Sequence, residues 1–378
     1  MRFRVISLFC ITVLLIVFCI QNISFTPKTT TNITNTDDLF VNESISYTES
    51  DVSPCIRRIS DVKIDPNQPD ILYSNVYEST TRKNVIYKSI DAGKNWEKIS
   101  ILPPVYGKFT LNTKDSKVLY LISGNSSGGI KSMDGGITWN ELLTVPKIIN
   151  PQNEDIMYST GTGGLFKSIN GGISWTDIKE DSSGCRTIAI AYQNPQILYA
   201  YCTGKATAGI YKSSNSGEDW EIVLPWGVLY INNIVALAID PQNSEIVYAG
   251  TSPEERNVYR SIDGGKHWDT VKNGLPQDKL YLSYFPMILE FNPINSNIIY
   301  IGTHPGVFKS IDSGKNWQSI NNGLPSMGHA TALAINTNDP DIIYVGIYGT
   351  GIFKSIDGGE TWSLSSDGID CGPYIPEI

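Results

Sequence analysis

Charge is sparse in this chain: Asp, Glu, Lys and Arg together make up 18 % of its 378 residues. That excludes a coiled coil, whose solvent-facing positions demand far more. Arginine is especially thin, and beyond the first few residues it occurs only at Arg57, Arg58, Arg82, Arg186, Arg256 and Arg260. Histidine is limited to His267, His304 and His329, and no Cys-x-x-Cys or His-rich spacing exists. No zinc site and no cofactor motif can be read from such a set. Helical periodicity with caps is missing as well, which points away from a helical architecture. The deficit of positive charge leaves a formal net charge of −9. Charge of that sign repels phosphate backbones, so nucleic acid and other large anionic polymers are poor partners. What is plentiful is tyrosine, tryptophan and glycine, and a 41 % hydrophobic content excludes wholesale disorder.

These residues fall into a repeat. Ser89-Ile90-Asp91-Ala92-Gly93-Lys94-Asn95-Trp96 returns as Ser132–Trp139, Ser168–Trp175, Ser213–Trp220, Ser261–Trp268, Ser310–Trp317 and Ser355–Trp362. Successive serines are 43, 36, 45, 48, 49 and 45 residues apart. A base precedes each one: Lys88, Lys131, Lys167, Lys212, Arg260, Lys309 and Lys354. Upstream of every box lies an apolar run closing in tyrosine, at Tyr73, Tyr120, Tyr158, Tyr199, Tyr248, Tyr300 and Tyr344. Ahead of that comes a turn rich in Asp, Asn and Pro, such as Asp240-Pro241-Gln242-Asn243, and usually a further apolar segment. Each unit reads strand, turn, strand, short loop, strand, box turn, strand.

Repeats of this length built from four short antiparallel strands predict a radial propeller. One blade cannot bury both faces of its sheet, whereas seven stacked around an axis bury them against each other. The box glycine, Gly93 and its equivalents, suits a tight hairpin with positive φ. The Asp or Asn two residues after the serine can accept bonds from the amides that follow. Tryptophan, opening the fourth strand, can pack between blades. The recurring acid is therefore read as structural rather than catalytic.

These boxes resemble the Asp-box (BNR) repeat of the sialidase and xyloglucanase-like superfamily. Its pattern Ser-x-Asp-x-Gly-x-x-Trp is met in full by five copies, with Asn170 and Asn215 replacing Asp in the other two. The resemblance spans residues 57–365 and implies a seven-bladed all-β propeller of four-stranded antiparallel blades. It does not carry one function, since such propellers serve as hydrolases, receptors and assembly factors. Sialidases of this kind carry an Arg-Ile-Pro motif and an arginine triad; the nearest approach here is Arg57-Arg58-Ile59-Ser60, without the proline. Xyloglucanases of this kind set two propellers across a cleft, and one ring of boxes is seen here. Photosystem assembly propellers bring a basic patch, and sortilin-type receptors a larger ring. No one subfamily is matched cleanly.

Before the repeats, Arg2 and Arg4 precede an uncharged stretch from Val5 to Ile20. Its length lies between a signal-peptide core and a membrane span. An uncleaved signal-anchor within residues 1–20 is the first expectation and a cleaved signal peptide the alternative; Phe18 fits badly before a lipoprotein Cys19. With the basic end inside, the rest would lie outside the cytoplasm, membrane-anchored or secreted. Residues 21–54, rich in Ser, Thr and Asn, read as a flexible linker. The propeller is assigned to residues 55–371 and a tail to 372–378. An outside location permits disulfides. Cys55 with Cys371 would join the two ends of the ring, and Cys185 with Cys202 would cross the first hairpin of blade 4; free buried thiols are the alternative.

A ligand would meet the loops that join the fourth strand to the next blade and the second strand to the third. Aromatic and imidazole groups there make Trp226, Tyr230, Tyr281, Tyr284, His304, His329 and Tyr348 the candidate ligand-binding residues, since flat rings stack on sugars and form protein hot spots. Hydrolysis of a glycosidic bond needs paired carboxylates about 5–9 Å apart. Loop acids Glu78, Glu180, Asp181, Glu254, Glu255 and Asp278 are available, with Asp61 and Glu290 in first strands near the axis. Short connections and the missing sialidase signature favour a binding module for a glycan or protein, with a sialidase-like or xyloglucanase-like glycoside hydrolase as the alternative.

Overall fold

The computed structural model describes residues 57–79, 81–103, 107–123, 127–161, 163–179, 182–204, 208–225, 234–251, 257–276, 288–326 and 328–369. The apolar N-terminal segment, the linker, the Cys55–Cys371 pair and the C-terminal tail all lie outside them. Among the described residues no helix occurs, and so none is long and apolar enough to cross a membrane.

The chain forms seven four-stranded antiparallel sheets, each with its strands in sequence order. The sequence expectation of a seven-bladed propeller holds. The first strands, which lie innermost, run Arg57–Ile64, Phe109–Leu111, Ile148–Ile149, Ser182–Ile190, Ile234–Ile239, Ile288–Phe291 and Ala330–Ile335. Second strands such as Met157–Gly161, Val247–Thr251, Ile299–Thr303 and Ile343–Ile347 are buried at every residue. A neighbouring blade covers each face, which is why these segments read as apolar runs rather than as alternating patterns. Fourth strands such as Gln318–Ser319 and Ser363–Leu364 are exposed at the rim.

Each box folds as its residue types dictate. Ser355 Oγ donates to Asp357 Oδ1 and accepts from the amides of Asp357 and Gly359. Asp357 Oδ1 in turn accepts from Thr361 N at 2.9 Å. Asn170 and Asn215 make the same bond to Ser174 N and Asp219 N, so the amide replaces the carboxylate without loss of the turn. The box glycines have positive φ, from 77° at Gly314 to 95° at Gly265. A second acceptor device sits before each second strand. Asp65, Asn112, Asn150, Asp240, Asn292 and Asn336 each accept from amides two and three residues on. Blade 4 has Ala191 at this place, and its turn keeps the backbone bonds together with one from Gln196 N to Asn194 Oδ1.

The base before each serine and the tyrosine of the second strand gain a role that the sequence did not reveal. In blades 3, 5, 6 and 7 both reach the box turn of the next blade, whereas in blade 4 the Tyr199 hydroxyl has no hydrogen-bond partner and Lys212 pairs with Glu245. Tyr300 and Lys309 donate to Gly358 O, Tyr248 and Arg260 to Ser313 O, and Tyr158 and Lys167 to Ser216 O. Tyr344 and Lys354 of blade 7 donate to Ala92 O of blade 1, at 2.7 and 3.0 Å. The lysine ammonium also lies over the tyrosine ring, 5.3 Å from its centroid in the Lys354–Tyr344 pair.

Among the described residues no strand is borrowed to close the ring. Instead, Trp96 N donates to Asp367 O and its indole Nε1 to Ser365 O, while Ser365 Oγ donates to Gly93 O. Residues of blades 1 and 7, among them Ile59, Val62 and Trp96 with Ala332, Tyr344 and Ile352, share one buried cluster. The same clamp recurs between blades 5 and 6 through Asn273-Gly274 and between blades 6 and 7 through Asn322-Gly323. There Trp317 and Trp362 donate to Asn273 O and Asn322 O, and their indoles to Val271 O and Ile320 O. Gly274 sits against Trp317 O so closely that a Cβ would collide with it, and its φ is +90°. In blades 3, 4 and 5 the indole instead turns back onto its own box, at Gly172 O, Gly217 O and Gly265 O. A disulfide joins Cys185 to Cys202, which are directly paired across the first hairpin of blade 4, as expected.

Candidate functional site

Two features of the described surface bring chemistry together: a cluster on the rim, and a cavity on the axis.

In an up-and-down blade, the turns between second and third strands lie at the same end as the entries to first strands. Three candidate residues meet at that end. His304 follows the second strand of blade 6, His329 precedes the first strand of blade 7, and Tyr348 follows the second strand of blade 7. The His304 and His329 rings are edge to face with centroids 3.7 Å apart, and the Tyr348 ring lies 6.0 Å from His329. A bond from Tyr348 N to His329 O fixes their spacing. Burial holds the His304 imidazole below its ordinary pKa, so it favours the neutral form, while Tyr348 is half-exposed. The cluster offers an open phenol ring beside neutral imidazole, a surface suited to stacking and hydrogen bonding with a polar ring. Trp226, Tyr230, Tyr281 and Tyr284 lie outside the described residues, as do Glu180, Asp181, Glu254, Glu255 and Asp278.

The basic lining of the axis was not read from the sequence, which placed only Asp61 and Glu290 there. All seven innermost strands, or the residues entering them, line a cavity of about 590 Å³. Arg58 and Lys63 of blade 1, Lys108 of blade 2, Lys147 of blade 3 and Arg186 of blade 4 face it, with Glu290 of blade 6. A chain of net charge −9 thus turns a basic lining toward its own axis. The net charge is a sum over the whole sequence, and the sign of this surface departs from it. The signal lay in and just before the first strands, with Arg58, Lys63 and Arg186 inside them and Lys108 and Lys147 one residue ahead, but net charge sums over position and hides them.

The two axial acids differ. Asp61 is 2 % exposed, and its carboxylate accepts from Val62 N at 3.0 Å and from Phe109 N of blade 2 at 2.7 Å. It staples two innermost strands together. Glu290 is held above the ordinary carboxylate value by burial, against the opposing pull of Lys63 and Lys108. Lys63 is raised, chiefly by Asp61 and further by Glu290. Lys147 is depressed to about 8, first by burial and then by the nearby charge of Lys108. Glu78, another sequence candidate, is buried and accepts from Thr81 Oγ1 at 3.1 Å, so it serves its own hairpin. No group of three or more metal-ligating side chains occurs among the described residues.

No family model matches the chain. In sequence, it is 23 % identical over 272 residues to the xyloglucanase Xgh74A of Acetivibrio thermocellus, covering 56 % of this chain and 32 % of that protein. The chain therefore spans about a third of the length of the curated relatives it matches. In structure, it resembles a GH74 xyloglucanase from Xanthomonas campestris, with TM-score 0.64 at 14 % identity, over 83 % of this chain and 55 % of that one. An ancestral GH74 enzyme gives TM-score 0.56 at 15 % identity, over 81 % and 54 %. YCF48 from Cyanidioschyzon merolae gives 0.54 at 12 % identity, over 80 % of this chain and 97 % of its own. These likenesses show the propeller fold. GH74 enzymes match over about half their length, and YCF48 over nearly all of it.

Proposed function

We propose that this propeller acts on a carbohydrate, as a glycoside hydrolase of the xyloglucanase type. The carrying observation is the 272-residue similarity to a xyloglucanase, which the structural likeness to GH74 enzymes accompanies. The His304–His329–Tyr348 cluster supports a glycan on the rim, because the half-exposed phenol supplies a stacking plane and the imidazoles supply polar edges. Hydrolysis requires a protonated acid and a second carboxylate about 5–9 Å apart. By sequence position Glu254 and Glu255 fall between the second and third strands of blade 5, and Asp278 between blades 5 and 6, and they are the residues we assign to that work. Asp61 is committed to backbone amides and is assigned none.

A second reading, recognition of a glycan without cleavage, is favoured by one observation: the carboxylates that the described residues bring to the axis are a structural staple and a single buried acid. In either case the propeller would work outside the cytoplasm, held by the N-terminal segment or secreted. One experiment separates the readings. Full-length protein is incubated with xyloglucan oligosaccharides while bound ligand and new reducing ends are measured together. Reducing ends that vanish in Glu254→Gln, Glu255→Gln or Asp278→Asn are the expected result. Binding without release, lost in Tyr348→Ala, would favour the second reading. Neither binding nor release would overturn the carbohydrate assignment.

A further inference from the structure

An asparagine followed by glycine can be attacked by its own main chain, because glycine has no Cβ to shield its amide nitrogen. That dipeptide occurs three times in the chain, at Asn170-Gly171, Asn273-Gly274 and Asn322-Gly323. The fold treats the three differently. In the blade 3 box, Asn170 Oδ1 accepts from Ser168 Oγ and Ser174 N, and its Nδ2 donates to Ser174 Oγ. Gly171 N, the nucleophile there, is held by Asp155 O at 3.0 Å. In the clamp between blades 5 and 6, Asn273 Nδ2 donates to Asn316 Oδ1. In the clamp between blades 6 and 7, Asn322 and Gly323 are both exposed. Neither the Asn322 side chain nor Gly323 N has a hydrogen bond among the described residues. Carbonyl carbon and nucleophile are adjacent, solvated and unrestrained at this one site of the three.

We infer that Asn322 is a deamidation site, and that its isoaspartate product releases the clamp between blades 6 and 7. Gly323 N attacks Asn322 Cγ, the new C–N bond closes a succinimide, and the side-chain nitrogen leaves as ammonia with the proton from Gly323 N. Water then opens the ring at either carbonyl, giving aspartate or isoaspartate. The two products differ in consequence. Aspartate leaves the main chain as it was, and the fold already uses it: Asp367-Gly368 forms the equivalent clamp, with Asp367 O accepting from Trp96 N at 2.7 Å. Isoaspartate carries the main chain through the side chain and so inserts a methylene before Gly323. The carbonyl that accepts from Trp362 N at 2.9 Å then becomes a pendant carboxylate. Gly323 sits so close to Trp362 O that a Cβ would collide with it, which leaves no slack for the added group. The preceding residue, Asn321, donates to Pro305 O and accepts from Val307 N, so the hairpin bearing His304 is tied to the same turn. This inference does not rest on the carbohydrate reading.

The test ages full-length protein in warm, mildly alkaline buffer and follows each Asn-Gly peptide by mass spectrometry, with electron-transfer fragmentation distinguishing isoaspartate from aspartate. The Asn322 peptide should convert at least tenfold faster than the Asn170 peptide, with the Asn273 peptide between them. In urea the three should convert at closely similar rates, because the dipeptide is the same and only the fold separates them. Hydrogen exchange at Trp362 N should quicken in step with the isoaspartate fraction. Asn322→Gln changes only an exposed side chain and would require a six-membered ring, so it should keep the Trp362 amide protected through the same ageing. Freshly prepared Asn322→Asp, equivalent to the benign product, should match unaged wild type. Conversion of Asn322 no faster than that of Asn170, or a tenfold preference that persists in urea, would overturn the proposal. So would unchanged exchange at Trp362 in isoaspartate-rich protein.

Discussion

A single lysine reports the electrostatics of the axis. Lys147 is held down to about 8 by burial and by Lys108, and Lys63, Arg58, Arg186 and Glu290 complete the charged surroundings it faces. Below that pH it is charged in both folded and unfolded chains. Between about 8 and its ordinary value of 10.5 the unfolded chain binds the proton and the folded one does not, so stability should rise with pH across that window. Isotope-labelled methylation of lysines, followed by NMR titration, should show a resonance with a midpoint near 8 that is missing from the spectrum of Lys147→Met. The box serine is a second residue-scale case. Ser355 is 1 % exposed and satisfies the Gly359 amide, so Ser355→Ala strands a buried donor. A loss of about 1–3 kcal/mol in denaturant unfolding is expected.

At the scale of the element, the box turn has two interchangeable forms. Asp91, Asp134 and Asp357 are held near 2 by hydrogen bonds from the Asn or Thr four residues on. A carboxylate whose pKa is depressed contributes stability above its ordinary value of 3.8 and loses it as pH falls through about 2. The turns of blades 3 and 4, built on Asn170 and Asn215, lack this dependence. Asp357→Asn should accordingly leave neutral stability close to wild type while removing that blade's share of the acid sensitivity, measured by circular dichroism from pH 5 to 1.5. The blade 4 hairpin has its own fastener. Replacing Cys185 and Cys202 together by serine opens a loop with a sequence separation of 17. Loops of that size carry about 3 kcal/mol of cross-link stabilisation, and the double variant should show a drop of that order in chemical unfolding.

Over the whole molecule, closure depends on Trp96. Its indole crosses from blade 1 to Ser365 O behind blade 7 and is buried, whereas the indole of Trp220 bonds within its own box and is half-buried. Trp96→Phe should cost about 1–3 kcal/mol by stranding the Ser365 carbonyl. Trp220→Phe should cost visibly less in the same thermal or denaturant experiment, though both remove one indole N–H. Equal effects would contradict a special role for the blade 7 to blade 1 seam. Charge is segregated at this scale too, with acid prevailing in the chain as a whole and base lining the axis.

The sequence by itself determined the blade: strand order, box geometry and the positive-φ glycines all follow from local turn chemistry and short spacings, while the Cys185–Cys202 pairing was one of two readings it left open until the structure showed the bond. It also pointed to His304, His329 and Tyr348, because loops that repeat with the blades must emerge at one end. The Asn-Gly clamps at Gly274 and Gly323 went unread, since their partners are the Trp317 and Trp362 backbones one blade away. The tyrosine and lysine that grip the next turn had the same obscurity, being periodic in sequence but explained only by a neighbour. Only the tertiary structure decided the axis. Arg58, Lys63, Lys108, Lys147 and Arg186 are separated by up to 128 positions along the chain, and nothing local marks them as a group. Ring closure turns seven first strands toward one line, and a field that no segment possesses arises from that convergence.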